Sequence, residues 1–557
     1  MINLDTAHTF SRRGLLGLSA AALGGVALSS CTGGSGSTGG NGGERPVLNV
    51  HASGSPSYQV NFNPLSTSVL PGAKGLVYEP LMAYTPMKPN EGQPWLAESM
   101  EFDEAGTTLT IKLREGVTWS DGTPFSAKDV AFTFNLYLEQ PATNTSALPV
   151  KSASAEDDHT AVITFSKPVF AKEPQLGNLI MLPEHVFAEQ DPMEFVNEKP
   201  IGTGPYVLKA FADQIYSFER NPQHWDADAI KINEIAYPAS TTQTFTTHLT
   251  QGKLDWSGGF VANIDALFVK KDPEHHHYWY PGDGSVNLLL NQRKAPMNDL
   301  PFRKALSLAM DRQALSDTAM QGYTPPAHPT GLVLPAFESA MAPEYKDLAF
   351  ERKVEEANSI LDEAGYTRGA DGVREKDGKK LAFDVVIPSG YTDWVAMLKL
   401  LQEQFAEIGV TFTPQAKAES AWADARRNGA YDITIASAAA GSAPYFLYRS
   451  YMSSEFKVAD DEPASSNPGR WYDDETDKLF EAYESTQDEA EQAAAINGLQ
   501  KIVVERLPLI PMLQSPNWFQ YRTTNFVGWP TEEDPYALPA PYQFPDNLLL
   551  VKHLSYA

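Results

Sequence analysis

Trp95-Leu96-Ala97-Glu98-Ser99, followed by Leu113-Arg114-Glu115-Gly116-Val117-Thr118-Trp119-Ser120-Asp121-Gly122-Thr123-Pro124-Phe125-Ser126-Ala127-Lys128-Asp129-Val130, is the stretch from which the rest of the chain is read. The residues leading into it, Thr107 to Leu113, alternate with period two, as a half-buried strand does. Asp121-Gly122-Thr123-Pro124 is a tight-turn signal, and Ser126 stands where a serine caps a helix opening at Ala127. Upstream, Pro46-Val47-Leu48-Asn49-Val50 reads as a first strand. Downstream, Asp299–Met310 places Leu300, Leu306, Leu308 and Ala309 on one helical face. Val395–Ile408 does the same with Met397, Leu398, Leu400, Leu401 and Phe405, and Asp474–Arg506 holds two more helices. Strands and helices in irregular alternation predict a mixed α/β architecture. A length of 557 residues predicts roughly two to four lobes. With no internal repeat and no second low-complexity linker, those lobes are interleaved along the chain.

Composition excludes several classes of function. A formal charge of -27, from 43 basic and 70 acidic residues, is the reverse of a nucleic-acid-binding surface. Apolar residues at 42% and charged residues at 20% are those of a globular protein. After the N-terminal segment, no stretch reaches the ~20 apolar residues that span a bilayer. The chain lacks a Gly-x-Ser-x-Gly elbow, a His-Glu-x-x-His pair and a phosphate-binding Gly-x-x-x-x-Gly-Lys-Ser/Thr loop. His275-His276-His277 lies in a polar run and is expected to be a solvated loop, not a metal site. Carboxylate pairs such as Asp460-Asp461 and Glu532-Glu533-Asp534 carry little information in so acidic a chain. The expectation is of no enzyme, no cofactor and no metal. Aromatic content of 11%, with 10 Trp and 23 Tyr, suits a flat, polar-rimmed binding surface.

The N-terminus has its own chemistry. Arg12-Arg13, the apolar run Leu15 to Leu28 and the small-residue end Leu28-Ser29-Ser30-Cys31 describe an export signal of the twin-arginine kind. Leu-Ser-Ser-Cys resembles a lipobox, which implies that residues 1–31 are a lipoprotein signal and that Cys31 carries the lipid. Cys31 is the chain's one cysteine, so no disulfide forms within a chain. Thr32–Glu44, rich in Gly, Ser and Thr, is a flexible tether. The expected location is the outer face of the cytoplasmic membrane, lipid-anchored, with a Gram-positive cell surface favoured over a periplasm.

The opening stretch resembles the signature of extracellular solute-binding proteins, family 5, the oligopeptide-binding type that serves ABC importers. Further matches follow in the family's order. They are Gly202-Thr203-Gly204-Pro205-Tyr206, Asn221-Pro222 with Trp225, Gly252-Lys253-Leu254-Asp255, and Asn291 before Pro296. Phe302-Arg303-Lys304-Ala305-Leu306, Met310-Asp311-Arg312 and Leu507-Pro508-Leu509-Ile510-Pro511 complete the series. These motifs read as scaffold, with Arg303 and Asp311 capping or pairing within their helix. The resemblance implies a periplasmic-binding-protein-like α/β fold of two hinged lobes with an additional domain and the ligand between the lobes. It divides the chain into domain I (45–87, 203–285 and 513–557), domain II (88–202) and domain III (286–512). The implied partners are ABC permease subunits and a small oligosaccharide or oligopeptide ligand. The protein is expected to be a monomer that touches membrane only through its lipid.

The ligand is read from what the resemblance leads one to expect and what this chain holds. Peptide-binding members grip the ligand's ammonium with an aspartate after a Tyr-Asp strand. After Tyr431-Asp432, no acidic residue follows until Glu455. Two segments, Ser389-Gly390-Tyr391-Thr392-Asp393-Trp394 and Val527-Gly528-Trp529-Pro530, are similar to those of members that bind cello- or β-gluco-oligosaccharides. Indoles stack on pyranose faces while Asp and Tyr engage hydroxyls. The expected ligand contacts are Trp529, Trp394, Trp256, Tyr391, Asp393 and Tyr445, whereas Trp95, Trp119 and Trp225 are expected in the core. The reading favours a β-linked oligosaccharide, with an oligopeptide as the alternative and a secreted glycoside hydrolase as a remote one.

Overall fold

The structure is a computed structural model that describes residues 45–557 except 53, 89, 90, 440 and 461. Arg12, Arg13, Cys31 and residues 32–44 therefore lie outside the described residues. Pro46–Ala557 forms one compact unit. It is mixed α/β, as the alternating elements predict, and three sheets organise it.

The near sheet has seven strands, in the order 276–278, 520–522, 256–257, 48–51, 234–238, 215–220 and 206–212. Its central strand Leu48–His51 is parallel to both neighbours, with Leu48 and Val50 at 0% exposure on one face and half-buried Asn49 and buried His51 on the other. The far sheet has five strands, in the order 411–417, 382–388, 433–439, 282–290 and 510–516. Every strand of the far sheet lies between Gly282 and Pro516, and every strand of the near sheet lies outside that interval. The chain enters and leaves the far part side by side, with Gly282 paired to Pro516 and Gly284 to Ser515. Gly284 is required there, because a Cβ would stand 1.9 Å from the Ala438 carbonyl oxygen. A four-stranded antiparallel sheet, 97–102, 108–113, 160–165 and 150–157, forms the third part.

The opening stretch explains itself in this third part. The strand 108–113 buries Leu109, Ile111 and Leu113 on one face. Ser126 caps the helix Ala127–Glu139 in a reciprocal box with Asp129. Trp95 and Trp119 are buried; Trp225 is half-buried, edge-on to Trp95 at 5.6 Å with the Arg114 guanidinium over its ring. The Trp95 indole N–H donates to buried Glu79 at 2.6 Å. Gly202 and Gly204 let the chain cross the Leu76–Val77 backbone, where a Cβ would come within 2.3 Å of a carbonyl oxygen. Asp311 accepts from the Ala314 amide and caps the next helical turn. Arg303 differs from the expectation. Its guanidinium donates to the carbonyls of Met297 and Arg506, so it ties two helices together and does not pair within its own. Residues 276–278 also differ, forming an edge strand in which buried His276 stacks on Phe268 at 4.2 Å.

A charged cluster joins the third part to the far part. Lys172, with a fully buried side chain, lies 2.8 Å from Glu455 and 3.9 Å from Glu484. Lys167 reaches Glu484 at 3.0 Å. Arg449 donates to Glu455 and, at 2.9 Å, to the Ser146 carbonyl.

Asp546, fully buried between the near and third parts, makes stability depend on pH. The Leu538 amide donates to its Oδ1 at 2.7 Å and the Thr85 hydroxyl donates to the same atom, while Oδ2 has no partner. Burial pushes this carboxyl from 3.8 up to about 7. The folded state therefore favours the neutral form. This group's contribution is fully present below the unfolded pKa of 3.8 and is lost as pH rises through about 7. At 1.36 kcal/mol per unit, that amounts to about 4 kcal/mol. Melting temperature measured across this range should fall less steeply in Asp546→Asn than in the parent; equal slopes would count against this assignment.

Candidate functional site

A cavity of about 500 Å³ lies between the near and far sheets. Parallel strands send their side-chain-rich loops to one end, and the crevice beyond their carboxyl ends is where α/β folds bind ligands. Near-sheet strand 48–51 ends there in His51 and Ala52, and strand 256–257 continues into Gly258-Gly259-Phe260. On the far side, strand 382–388 leads to Gly390-Tyr391-Thr392-Asp393-Trp394, and strand 433–439 contributes Ser437 and Ala439. The two crossing strands supply the floor through Asp283 and Ser515. The two sides approach closely at the rim, where a Cβ on Gly390 would stand 3.1 Å from the Thr242 hydroxyl oxygen.

Aromatic rings line both walls. Trp518 is half-buried and edge-on to Phe260 at 5.4 Å and to Tyr280 at 4.7 Å, which fixes its plane. Tyr542 is among the most exposed large apolar side chains, at 45%. Trp394 is held between Tyr391 at 5.0 Å and Trp422 at 5.8 Å. The Tyr391 hydroxyl donates to Glu419 at 2.8 Å. His51 is buried, stacked on Phe245 at 4.3 Å, with its Nδ1 2.8 Å from the Ser240 hydroxyl. Burial, aided by His248, pushes it down to about 4, so it is neutral at pH 7.

The carboxylates set the electrostatics. Burial pushes Asp283 up to about 6, against the Asn517 amide, which donates to Oδ2 at 2.8 Å, and the Ser515 hydroxyl. Burial likewise pushes Asp393 up to about 6, against backbone N–H groups of its own helical turn. No lysine or arginine is among the described lining residues.

Of the six contacts expected from sequence, Tyr391, Asp393 and Trp394 line this cavity together. Trp256, Trp529 and Tyr445 are not among the described lining residues and lie in the cores. Trp256 is fully buried and its indole N–H donates to the Pro539 carbonyl at 2.7 Å. Trp529 packs edge-on to Trp256 at 6.0 Å in the same near core and donates to the Phe526 carbonyl. Tyr445, at 0% exposure, stacks on Tyr483 at 4.7 Å inside the far core and donates to Glu484. The reason is common to all three: sequence identifies an aromatic residue but not the side of the backbone it occupies. Asp283, Trp518, Tyr542 and His51 were missed. The Gly-Asp-Gly run around Asp283, at the point where the chain changes lobes, was the one available signal.

Among the described residues, no group of three His, Cys, Asp or Glu side chains could hold a metal ion, and no helix is long and apolar enough to cross a membrane.

The family model of bacterial extracellular solute-binding proteins, family 5, matches residues 91–457. Protein XP55 of Streptomyces lividans is 34% identical over 309 residues, covering 54% of this chain and 55% of that relative's length. The periplasmic oligopeptide-binding protein OppA of Haemophilus influenzae is 26% identical over 459 residues, covering 76% of this chain and 80% of its own. Among solved structures, the periplasmic oligopeptide-binding protein of an oligopeptide ABC transporter from Thermotoga maritima, with mannohexaose bound, superposes with a TM-score of 0.82. It is 25% identical, over 92% of this chain and 98% of that one.

Proposed function

The chain belongs to the bacterial extracellular solute-binding proteins, family 5, which are transport binding proteins and not enzymes, and from that premise we propose that it is the substrate-binding component of an ABC importer that takes a short β-linked oligosaccharide into the Asp283–Trp518 cavity. The observation that carries the ligand reading is the lining itself. Flat rings on both walls, with Asp283, Asp393 and Glu419 among them and no lysine or arginine among the described lining residues, match pyranose faces and hydroxyl donors. A peptide's terminal carboxylate would find no lysine or arginine among those described residues. The mannohexaose bound to the Thermotoga maritima relative supports the same reading. In this proposal domains I (45–87, 203–285, 513–557) and III (286–512) close on the ligand by a hinge at Gly282–Gly284 and Ser515–Pro516. Domain II (88–202) braces the pair. Cys31 carries a lipid that keeps the receptor beside the permease on a Gram-positive cell surface.

Oligopeptide uptake is the second reading, favoured by the name of the Haemophilus influenzae relative and by Asp283 and Asp393 as partners for a peptide ammonium. Thermal shift separates the two. A ligand present at about 100 times its Kd stabilises by about 2.7 kcal/mol. A pool of neutral and amino β-linked oligosaccharides should raise the melting temperature, a tri- to pentapeptide pool should not, and Trp518→Ala should cut the shift. A shift with peptides alone would establish the second reading instead.

A further inference from the structure

The negative charge of the cavity is not balanced by the protein. Asp283 and Asp393 line one cavity together with the exposed Glu419, the histidine that also lines it is neutral, and no lysine or arginine is among the described lining residues. Asp393 is 5% exposed, and backbone N–H groups of its own helical turn reach its carboxylate. Elsewhere the fold meets several secluded carboxylates with a cation, although buried Asp546 is met by the Leu538 amide and the Thr85 hydroxyl instead. Glu455 is met by Lys172 and Arg449, and Asp255, 3% exposed, has Arg522 at 3.4 Å. Removing a carboxylate from water without a cation is costly, and a neutral sugar's hydroxyls return only part of that cost. A side-chain amide would accept those hydroxyls without any charge, so carboxylates at these positions call for a ligand that brings a positive one.

Resting on the oligosaccharide reading above, we infer that the ligand is an amino-sugar oligosaccharide, whose free ammonium is taken by Asp283 and Asp393 while a ring face lies against Trp518. Ammonium-to-carboxylate hydrogen bonds are roughly twice as strong as those between neutral groups. The same charge turns away uronic acids and sugar phosphates by like-charge repulsion.

The test is calorimetric titration of the protein at pH 7 with three probes of equal length. They are a β-linked glucosamine trisaccharide, its fully N-acetylated counterpart and cellotriose. The free-amine sugar should bind about tenfold or more tightly than the other two, the difference expected of a charge-assisted contact. Asp283→Asn and Asp393→Asn should each shrink that ratio. The comparison among sugars on the parent protein decides the matter even if a variant fails to fold. Equal or weaker binding of the free amine, with the neutral sugars bound, would overturn the inference and leave the oligosaccharide reading intact. Binding of peptides alone would overturn both.

Discussion

Lys172→Met is expected to lower the free energy of unfolding by about 3–5 kcal/mol, the cost of leaving a buried ion pair without one partner. The lysine side chain has no exposure, and it is the ammonium that faces Glu455 and Glu484 together. Without it, two carboxylates remain near one another, with Arg449 and the half-exposed Lys167 as their remaining cations. The loss is expected to be non-additive. Glu455→Gln should cost less in the Lys172→Met background than alone, because its contact with the Lys172 ammonium is then already gone. Denaturant midpoints of the two single variants and the double variant would check this. Additive losses, or a Lys172→Met midpoint equal to that of the parent, would show that the cluster is solvated and contributes little. Since the cluster joins the third part to the far part, the loss should appear first as hydrogen exchange in 146–172 and 445–455.

Trp256→Ala should cost about 3–5 kcal/mol, in the range of large-to-small changes at fully buried sites, and should leave the affinity of the folded fraction for ligand unaltered. The indole fills the near core beside Trp529, and its N–H satisfies the Pro539 carbonyl. Trp256→Phe should recover most of the packing and still lack that bond, at about 1–2 kcal/mol for an unmet buried acceptor. Trp518→Ala is the opposite case. Half-buried and facing the cavity, it should weaken ligand binding and change the melting temperature of the empty protein far less. Unfolding and titration on both variants would expose an error, since a binding defect in Trp256→Ala would place that ring in the cavity after all.

The contrast between these two tryptophans shows how far sequence reaches. Elements written in periodicity and caps were readable. The helix expected over Val395–Ile408 spans Thr392–Ala406, and the one over Asp299–Met310 spans Leu300–Ala309. The pair expected in Asp474–Arg506 is Asp474–Glu484 and Glu489–Arg506. The scaffold motifs were readable too, because a serine cap or a glycine crossing is a local requirement. The site was half readable. Tyr391, Asp393 and Trp394 form one short run at a helix start, so finding one finds all three. Trp518 and Tyr542 come from the last stretch of chain and meet Asp283 only through the tertiary fold. Nothing in their neighbours distinguishes them from Trp529. Lys172 is similar, since a lysine beside Ala171 and Glu173 reads as surface until two distant glutamates close over it.

The pairing of Gly282 with Pro516 and Gly284 with Ser515 also governs the order in which the molecule is completed on the ribosome. Everything between those pairs is a self-contained stretch whose core draws on residues 286–513, so it is fully synthesised before the final segment appears. The near core is different. Leu48 and Val50 are made first, yet their core also takes Phe519, Tyr521, Trp529, Leu550 and Leu554. A nascent chain therefore holds its oldest strand partly unsealed until its youngest residues arrive. The cavity, walled by both parts, is the last thing to exist, and an interrupted chain does not complete it.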